Sequence, residues 1–274
     1  MTDAEIDLAA HVAECAAYAA GAHLLASRAR IAETMVTRHD PEQVAGTIAA
    51  EAAALMRSVI GRTYPQHDFC AVDAPTRWRT GRACWFADAL DGRADYLRGS
   101  GAYAVSLALV VDAEPQLGVV YDPQRNEFFG ALRGRGAVLN GKPICCETQT
   151  PPRLARMAAA LPRSDSPRMA RCIAEVGRVA TGLGTVRRSV SRALEMAHLA
   201  AGRIDGFWAH ELDHCNAAAG IVLLRESGAL VEARDAVPLL DSRSMFACAP
   251  ALRKRFLALL GPVAVSPGTA AASG

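Results

Sequence analysis

The hydrophobic period of this chain changes near residue 66, from the spacing of helices to the alternation of strands. Before that point, apolar residues recur at helical spacing over residues 5–30, and again in a stretch that begins near residue 40. Asp40 precedes Pro41 and Gln43, which is the pattern of a helix N-terminus. The sequence therefore predicts two long helices ahead of a sheet.

Three strands are predicted after the change of period, at Tyr103–Val111, Leu117–Tyr121 and Glu127–Leu132. Short turns connect them, the first at Pro115 and the second at residues 122–126. Because a parallel crossover needs a much longer connection, these turns favour an antiparallel meander over βαβ units.

A boundary between two lobes is predicted at residues 148–152, a short stretch that ends in two prolines. Beyond it, short strands alternate with helices. The predicted fold class is α/β, as an α+β layered sandwich, with an N-terminal lobe at residues 1–147 and a C-terminal lobe at residues 148–274. The helices of the second lobe are predicted at Ser166–Val176, Arg192–Ala201 and Ala217–Glu226.

The composition excludes several classes of protein. With 274 residues, 51% hydrophobic and 21% charged, the chain is long enough to bury a core and too apolar for disorder along its whole length. A net charge of +2 gives no argument for a nucleic-acid or membrane partner, and no charge-free apolar run reaches the length of a membrane-spanning helix. The acidic start at Met1–Glu5 differs from a secretory signal. Eight scattered cysteines without a C-x-x-C pair indicate reduced thiols, so we expect a cytoplasmic protein.

The segment most informative about chemistry ends an apolar run with Asp88, Asp91 and Gly92. Two carboxylates this close repel each other unless a cation lies between them. Oxygen ligands suit Mg²⁺, and a glycine lets the backbone approach a ligand and offer an N–H to an anion. The alternative is a turn with two solvated aspartates, and the motif taken alone leaves both interpretations open.

The residues around this motif extend the pattern along nearly the whole chain. Trp85–Arg93 resembles the W-x-x-D-P-[IL]-D-G-T motif of the inositol monophosphatase family, and Leu117–Pro123 resembles its G-V-V-Y-D-P strand. On these matches, the chain is identified as a member of that family. Further resemblances, in the family's order, are at Val36–Asp40, Arg135–Ile144, Gly202–Gly206, Ala218–Gly220 and Glu226–Gly228.

The resemblance implies a layered α/β fold shared with fructose-1,6-bisphosphatase, in a protein that is usually a homodimer. It also implies Mg²⁺-dependent hydrolysis of a small phosphomonoester, with an attacking hydroxide generated by the metal ions and no covalent enzyme intermediate. Asp88 and Asp91 match the family's metal-bridging aspartates, and Leu90 matches a position that lends its carbonyl oxygen. Asp40 matches an acid that helps to orient the water, a role compatible with capping the helix.

The metal side of the implied site departs from the family pattern. Val72 falls where the family has a metal-binding Glu, and Asp73 follows it with a shorter side chain. Arg93 replaces a Thr that partners the water, and Asn216 replaces the last carboxylate ligand. Because ligand charge tunes the affinity for hard cations, we expect weaker Mg²⁺ binding and fewer ions than in typical members.

The substrate side departs as well. The family's G-S-A-A appears as Val190–Ala193, and Ala209 falls where the family has a hydroxyl-binding Glu. Arg93 and Arg192 add positive charge where a phosphate would lie, and a guanidinium group binds phosphate by two-point contact. The alternative is that these arginines point to solvent or pair with nearby carboxylates, Asp95 or Glu195.

The residues implied by the resemblance form three overlapping groups. The metal ligands are Asp73, Asp88, Leu90, Asp91 and Asn216. The substrate-binding residues are Gly92, Arg93, Ser191, Arg192 and Asn216. The catalytic residues are Asp40, Asp88, Asp91 and Arg93.

Two functional hypotheses follow, with different predictions for turnover. The first is a Mg²⁺-dependent phosphatase with a weakened metal site, acting on an inositol-phosphate-like ester or a sugar phosphate. The alternative is a catalytically impaired relative that binds a phosphorylated ligand or a partner protein, and different chemistry on the same scaffold ranks third. The expected partners are a small phosphorylated metabolite and a second copy of the chain.

Overall fold

A computed structural model describes residues 2–37, 40–72, 81–146, 150–235 and 237–262. The helices within these ranges are α1 (Asp3–Ala26), α2 (Arg28–Thr37), α3 (Pro41–Thr63), α4 (Arg93–Arg98), α5 (Met169–Gly182), α6 (Arg192–Ala200), α7 (His214–Glu226) and α8 (Arg253–Leu260). The strands are β1 (Asp68–Ala71), β2 (Cys84–Asp91), β3 (Ala104–Val111), β4 (Glu114–Asp122), β5 (Glu127–Leu132), β6 (Ala137–Leu139), β7 (Lys142–Ile144), β8 (Arg156–Ala160), β9 (Thr185–Arg188), β10 (Gly206–His210), β11 (Leu230–Ala233) and β12 (Ser244–Cys248).

The two predicted N-terminal helices are confirmed, with a break in the first. Thr2 and Glu5 form a capping box at the start of α1, in which the Thr2 N–H donates to the Glu5 carboxylate at 2.7 Å. This helix ends at Ser27 and α2 continues beyond it, where the sequence predicts one helix over residues 5–30. Asp40 caps α3 as predicted, because its Oδ1 accepts the Glu42 N–H at 3.0 Å.

The first sheet extends the predicted meander. Its seven strands within the described residues follow the order β1-β2-β3-β4-β5-β6-β7, and all neighbours are antiparallel except β1 and β2. The three predicted strands are confirmed as β3, β4 and β5. Side chains alternate between the faces of a sheet, and both faces here are apolar. Helices α1 and α3 cover one face, and α6 and α7 cover the other.

The second sheet has the order β11-β12-β10-β8-β9, in which β8, β9 and β10 run parallel. Its inner face packs on α6 and α7, and its outer face packs on α5 and α8. The layers therefore alternate helix, sheet, helix, sheet, helix, which confirms the predicted layered α/β class. The predicted boundary at 147/148 falls between the two sheets in sequence, although α7 contacts strands of both sheets.

A close contact between β4 and α7 requires a glycine. A Cβ added at Gly118 would lie 2.4 Å from the backbone oxygen of Ala219, which is too close for any side chain. The helix therefore packs directly against the strand backbone. This contact matters for function because the N-terminus of α7 carries Asn216 toward the candidate site.

Helix α3 has the length and apolar composition of a membrane-crossing helix, with a mean hydropathy of 1.3. It carries Glu51 and Arg57 near its middle, so it is not a charge-free run. One face of α3 packs against α1 and β2, and a core helix of a globular protein passes the same test of length and composition. The helix therefore carries no membrane assignment.

Candidate active site

Strand β2 delivers both motif aspartates to a buried position. All eight of its residues are buried, and its pairing with β3 shifts register between Asp88 and Asp91. Such a bulge re-aims side chains at the end of a strand. Gly92 follows with a φ of +96°, and a Cβ there would lie 2.5 Å from the Ala102 oxygen. The sequence thus needs glycine at this turn for two reasons, its backbone conformation and the close contact.

Asp88 is held by groups from its own loop and from α7. Its Oδ1 accepts the Leu90 N–H at 3.0 Å, and its Oδ2 accepts the side-chain amide of Asn216 at 2.6 Å. Asn216 in turn donates its backbone N–H to Oδ1 of Asp213 at 2.9 Å, and Asp213 is the N-cap of α7. An amide donor therefore contacts Asp88 where the family pattern has a carboxylate.

Asp91 is held at the N-terminus of α6. Its Oδ2 accepts the Ser191 hydroxyl at 2.7 Å and the Ala193 N–H at 2.6 Å. Ser191 also caps this helix, because its Oγ accepts the Leu194 N–H at 3.2 Å. In this structure Ser191, which the sequence predicts as a substrate-binding residue, orients Asp91.

Burial and neighbouring negative charge raise the cost of ionising both aspartates. Burial raises the pKa of Asp88 well above its ordinary value, and the neighbouring charge of Asp91 raises it further. Burial also raises the pKa of Asp91, although the Arg192 guanidinium and the hydrogen bond from Ser191 oppose that rise. Asp213 adds a third negative charge that raises both pKa values. A buried group of carboxylates with raised pKa values fits a bound cation, which would stabilise their ionised forms.

Most predicted site residues line one cavity of about 430 Å³. The structure therefore brings together residues from β2, α4, α6 and α7 that are distant in sequence. The predicted residues on its wall are Asp88, Leu90, Asp91, Gly92, Arg93, Arg192 and Asn216.

Val72 lies on the cavity wall, whereas Asp40 lies away from it. Val72 lines the cavity with an apolar side chain where the family has a Glu. A second cavity of about 260 Å³, between α3 and β1, shares Val72, Asp88 and Arg93 with the first. Asp40 is exposed at the start of α3 and is not among the described residues that line either cavity. Asp73 lies outside the described residues, so its predicted metal role stays a prediction.

Four charged residues of this cavity were not predicted from the sequence: Arg163, Glu211, Asp213 and Arg243. Arg163 and Glu211 follow β8 and β10, and ligands of α/β sheets bind beyond the carboxyl ends of parallel strands. Asp213 precedes an apolar helical run, which is the sequence signal of an N-cap. Of these four residues, only Asp213 lies in a local sequence pattern that could have indicated its position, at a helix N-terminus.

The structure also shows the surroundings of two residues named on the substrate side, Ala209 and Glu195. Ala209, which falls at the family's hydroxyl-binding Glu, is fully buried within β10, and Glu211, two positions later, brings a further carboxylate to the cavity wall. Glu211 has a φ of +59° and accepts a hydrogen bond from the Ser166 hydroxyl. Glu195 pairs with Arg187 at 2.6 Å, and no ion pair between Glu195 and Arg192 is found among the described residues.

A second cluster of potential metal ligands lies outside this cavity. Cys172, Glu175 and His210 are buried and present ligand atoms within 4.8 Å of one another. Glu175 already accepts hydrogen bonds from Arg234 at 2.7 Å and Arg171 at 3.0 Å. Although burial raises its pKa, hydrogen bonds from His210 and Arg234 lower the pKa of Glu175 to about 2. Two guanidinium groups thus supply the positive charge that a metal would bring.

Comparison with known proteins gives a consistent result. A model of the inositol monophosphatase family matches residues 5–262. The chain is 34% identical over 181 residues to "Nus factor SuhB" of Escherichia coli K12, covering 66% of this chain and 68% of that protein. It is 31% identical over 190 residues to "Inositol-1-monophosphatase" of Synechocystis, covering 69% and 66%.

Solved structures agree with the sequence comparison. The inositol monophosphatase of Anabaena (Nostoc) superposes with a TM-score of 0.82 at 28% identity, covering 93% of this chain and 96% of that one. SuhB of Mycobacterium tuberculosis superposes with a TM-score of 0.78 at 25% identity, covering 93% and 96%. The chain therefore belongs to the inositol monophosphatase family.

Proposed function

We propose that this protein hydrolyses a small phosphomonoester, an inositol-phosphate-like ester or a sugar phosphate, in a Mg²⁺-dependent reaction. The observation that supports it is the buried pair Asp88 and Asp91, with raised pKa values, in a cavity that guanidinium groups also line. A bound Mg²⁺ supplies neutralising charge for the phosphate and lowers the pKa of a water molecule. Family membership supports the same reaction class.

Each side chain has a distinct part in this proposal. Asp88, Asp91 and the Leu90 carbonyl hold the cation, with the Asn216 amide oriented by Asp88. Ser191 and the Ala193 N–H keep Asp91 in place through hydrogen bonds of 2.7 and 2.6 Å. Asp213 contributes negative charge that partly offsets the loss of carboxylates at positions 72 and 216. Asp73 is proposed as a further ligand.

Phosphate binding and water orientation fall to the remaining residues. Gly92 offers backbone access beside Asp91. Arg93 binds phosphoryl oxygens, since guanidinium groups make charge-assisted hydrogen bonds, and Arg192 binds the substrate. Asp40 is proposed to orient the water, in addition to its role as the cap of α3. Binding the phosphate with arginine compensates for a metal site of reduced charge and for fewer bound ions.

The proposed state of the protein is a cytoplasmic homodimer of two-lobed chains, with lobes at residues 1–147 and 148–274. Eight free cysteines suit a reducing compartment. Homodimers are usual in the family that the sequence resembles. Gel filtration with light scattering tests the oligomeric state directly.

Phosphate release from the purified chain tests the function. The assay titrates Mg²⁺ against a panel of inositol, sugar, nucleotide and histidinol phosphates. We expect Mg²⁺-dependent turnover, reduced at least about 100-fold by Asp88→Asn or Asp91→Asn, since metal ions contribute several kcal/mol to such reactions. Asp112→Asn in an exposed turn is the matched control. A wild-type protein without turnover on any ester contradicts the proposal.

A second candidate function is a catalytically impaired protein that binds a phosphorylated ligand or a partner protein. The observation that favours it is the Asn216 amide on Asp88, together with relatives named "Nus factor SuhB". The combined variant Val72→Glu, Arg93→Thr and Asn216→Asp separates the two candidates. Turnover that appears only in this variant supports the binding role, and turnover already present in the wild-type protein supports the enzyme.

A further inference from the structure

Four arginines from separate segments line the cavity that holds Asp88 and Asp91. Arg93 follows the metal motif directly, so it lies beside the proposed phosphate position. Arg192 begins α6, Arg163 follows β8, and Arg243 precedes β12. With a single phosphate bound by a cation and Arg93, the charges of the other guanidinium groups are offset only in part, by Asp91 near Arg192 and by Asp165 beside Arg163.

Arg192 gives the first specific sign of a missing ligand. Its Nε is buried and has no hydrogen-bond partner among the described residues. A buried donor without a partner destabilises a protein, and native structures rarely contain one unless a ligand or water supplies the acceptor. Arg192 also takes a place where the family's G-S-A-A has a small residue on the substrate side. Its side chain therefore adds a charged donor to the cavity wall.

Arg163 and Arg243 give an independent sign on another wall. Arg163 makes an ion pair with Asp165 at 3.2 Å, and both of these side chains are largely exposed. Arg243 makes no ion pair with a described residue, although its carbonyl accepts the Leu212 N–H at 3.1 Å. Within the described residues, neither arginine lies within 4.0 Å of the cavity carboxylates Glu211 and Asp213. Arg243 therefore remains available to an anion, and Arg163 can exchange its solvent-exposed pair with Asp165 for a contact with the ligand.

We propose that the alcohol part of the substrate carries a second anionic group, a carboxylate or a second phosphate, bound by Arg192 together with Arg163 and Arg243. This inference rests on the proposed function for the first phosphate. A neutral polyol offers no charge to these guanidinium groups, whereas an anion can accept the buried Nε–H of Arg192 and hydrogen bonds from the exposed arginines as well. The arginines thus determine specificity and take no part in the transfer itself.

Binding without Mg²⁺ tests this inference separately from turnover. Calorimetry compares glycerol 3-phosphate with 3-phosphoglycerate, which adds a carboxylate, and with glycerol 1,3-bisphosphate, which adds a phosphate. We expect at least one of the two compounds with a second anionic group to bind about tenfold more tightly than glycerol 3-phosphate. The tighter of the two identifies the second group.

Variants of the two exposed arginines connect this preference to the cavity. Arg163→Ala and Arg243→Ala should each reduce the ratio of the affinities about twofold, since each removes one of the three contacts that share the tenfold preference. Arg133→Ala, an exposed arginine outside the cavity, should retain the ratio and serves as the control. Arg192→Gln tests the half-buried arginine in the same way and should also reduce the ratio of the affinities.

The outcomes separate this inference from the proposed function. Equal affinities for the three esters, or a preference that survives all three cavity variants, overturns the inference. Absence of hydrolysis of every ester with Mg²⁺ contradicts the proposed function, while an arginine-dependent preference in binding still supports the inference. Mg²⁺-dependent hydrolysis of all three esters without any arginine-dependent preference in binding supports the proposed function and overturns the inference.

Discussion

At the scale of single residues, the candidate site depends on which side chain faces Asp88. An amide at position 216 donates a hydrogen bond of 2.6 Å to this buried carboxylate. A carboxylate at that position would bring a like charge and would need a cation to offset it. The natural residue thus stabilises the metal-free site while it reduces the negative charge available to a cation.

Asn216→Asp should therefore have opposite effects with and without metal. Without Mg²⁺, we expect the free energy of unfolding to fall by about 1 to 3 kcal/mol, because a charged hydrogen bond is replaced by repulsion. With Mg²⁺, the affinity for the ion should rise about tenfold. Denaturant unfolding at several Mg²⁺ concentrations measures both effects. Gln43→Glu on the exposed face of α3 is the control, and equal Mg²⁺ affinity in wild type and variant would contradict the prediction.

Gly92 illustrates a second effect at this scale, the cost of a side chain beside the motif. Gly92→Ala meets both a φ of +96° and a contact of 2.5 Å with a backbone oxygen. Gly134→Ala meets a φ of +78° in open space, so it isolates the conformational cost of about 1 kcal/mol. We expect Gly92→Ala to destabilise the protein by at least about 2 kcal/mol, since the backbone must also shift. Equal losses of unfolding free energy in the two variants would show that the contact has no effect.

At the scale of elements, the ion-pair cluster around Glu175 joins α5 to the second sheet and to the end of α8. Arg234 donates to Glu175 and also to the backbone oxygens of Leu260 and Gly261, at 3.2 and 2.9 Å. Arg178 of α5 donates to Leu259 and Leu260 oxygens. These donors satisfy carbonyl groups that a helix leaves free at its C-terminus.

Glu175→Gln should lower the free energy of unfolding at pH 7 by about 3 kcal/mol or more, because Arg234 would remain buried without its partner charge. The folded-state pKa of Glu175 is about 2, below the ordinary value of 4.5, so its stabilisation is present above about pH 4.5 and is lost as the pH falls toward 2. The difference between wild type and variant should shrink over that range.

The control for this prediction is an exposed ion pair. Glu114→Gln removes a contact of 3.5 Å with Arg225, in which both side chains are about half exposed. Its effect should stay below about 1 kcal/mol. Urea unfolding of both variants from pH 7 to pH 3 checks the comparison, and a pH-independent difference for Glu175→Gln would contradict the assigned role.

At the scale of the whole molecule, the site forms only where the layers meet. Asp88 comes from the first sheet, and Asn216 comes from a helix between the sheets that lies 128 positions later in the chain. The distance between the strand and this helix is set by Gly118, whose position leaves no space for a Cβ. Packing of the layers and geometry of the site are thus coupled.

Gly118→Ala tests this coupling. Its Cβ would lie 2.4 Å from the Ala219 oxygen, so α7 must move away from β4 and carry Asn216 with it. We expect a loss of stability of about 2 to 3 kcal/mol and a fall in Mg²⁺ affinity. Gly130→Ala is the control in the same sheet, because its nearest neighbour is the Phe128 ring at 3.3 Å. Unchanged Mg²⁺ affinity in a destabilised Gly118→Ala protein would show that packing and site are independent.

The sequence by itself determined the local features of the chain: where helices begin, which segments form strands, and how the motif residues are spaced. Helix caps such as Asp40, the alternation within β3 to β5 and the spacing of Asp88, Asp91 and Gly92 depend on neighbours in the chain, and such signals can be read without a fold. The meeting of Asn216 with Asp88, the burial of Ala209 and the convergence of Arg163 and Arg243 on one cavity were decided by the tertiary structure. They depend on strand ends and helix termini from distant segments that become adjacent only when the layers pack together.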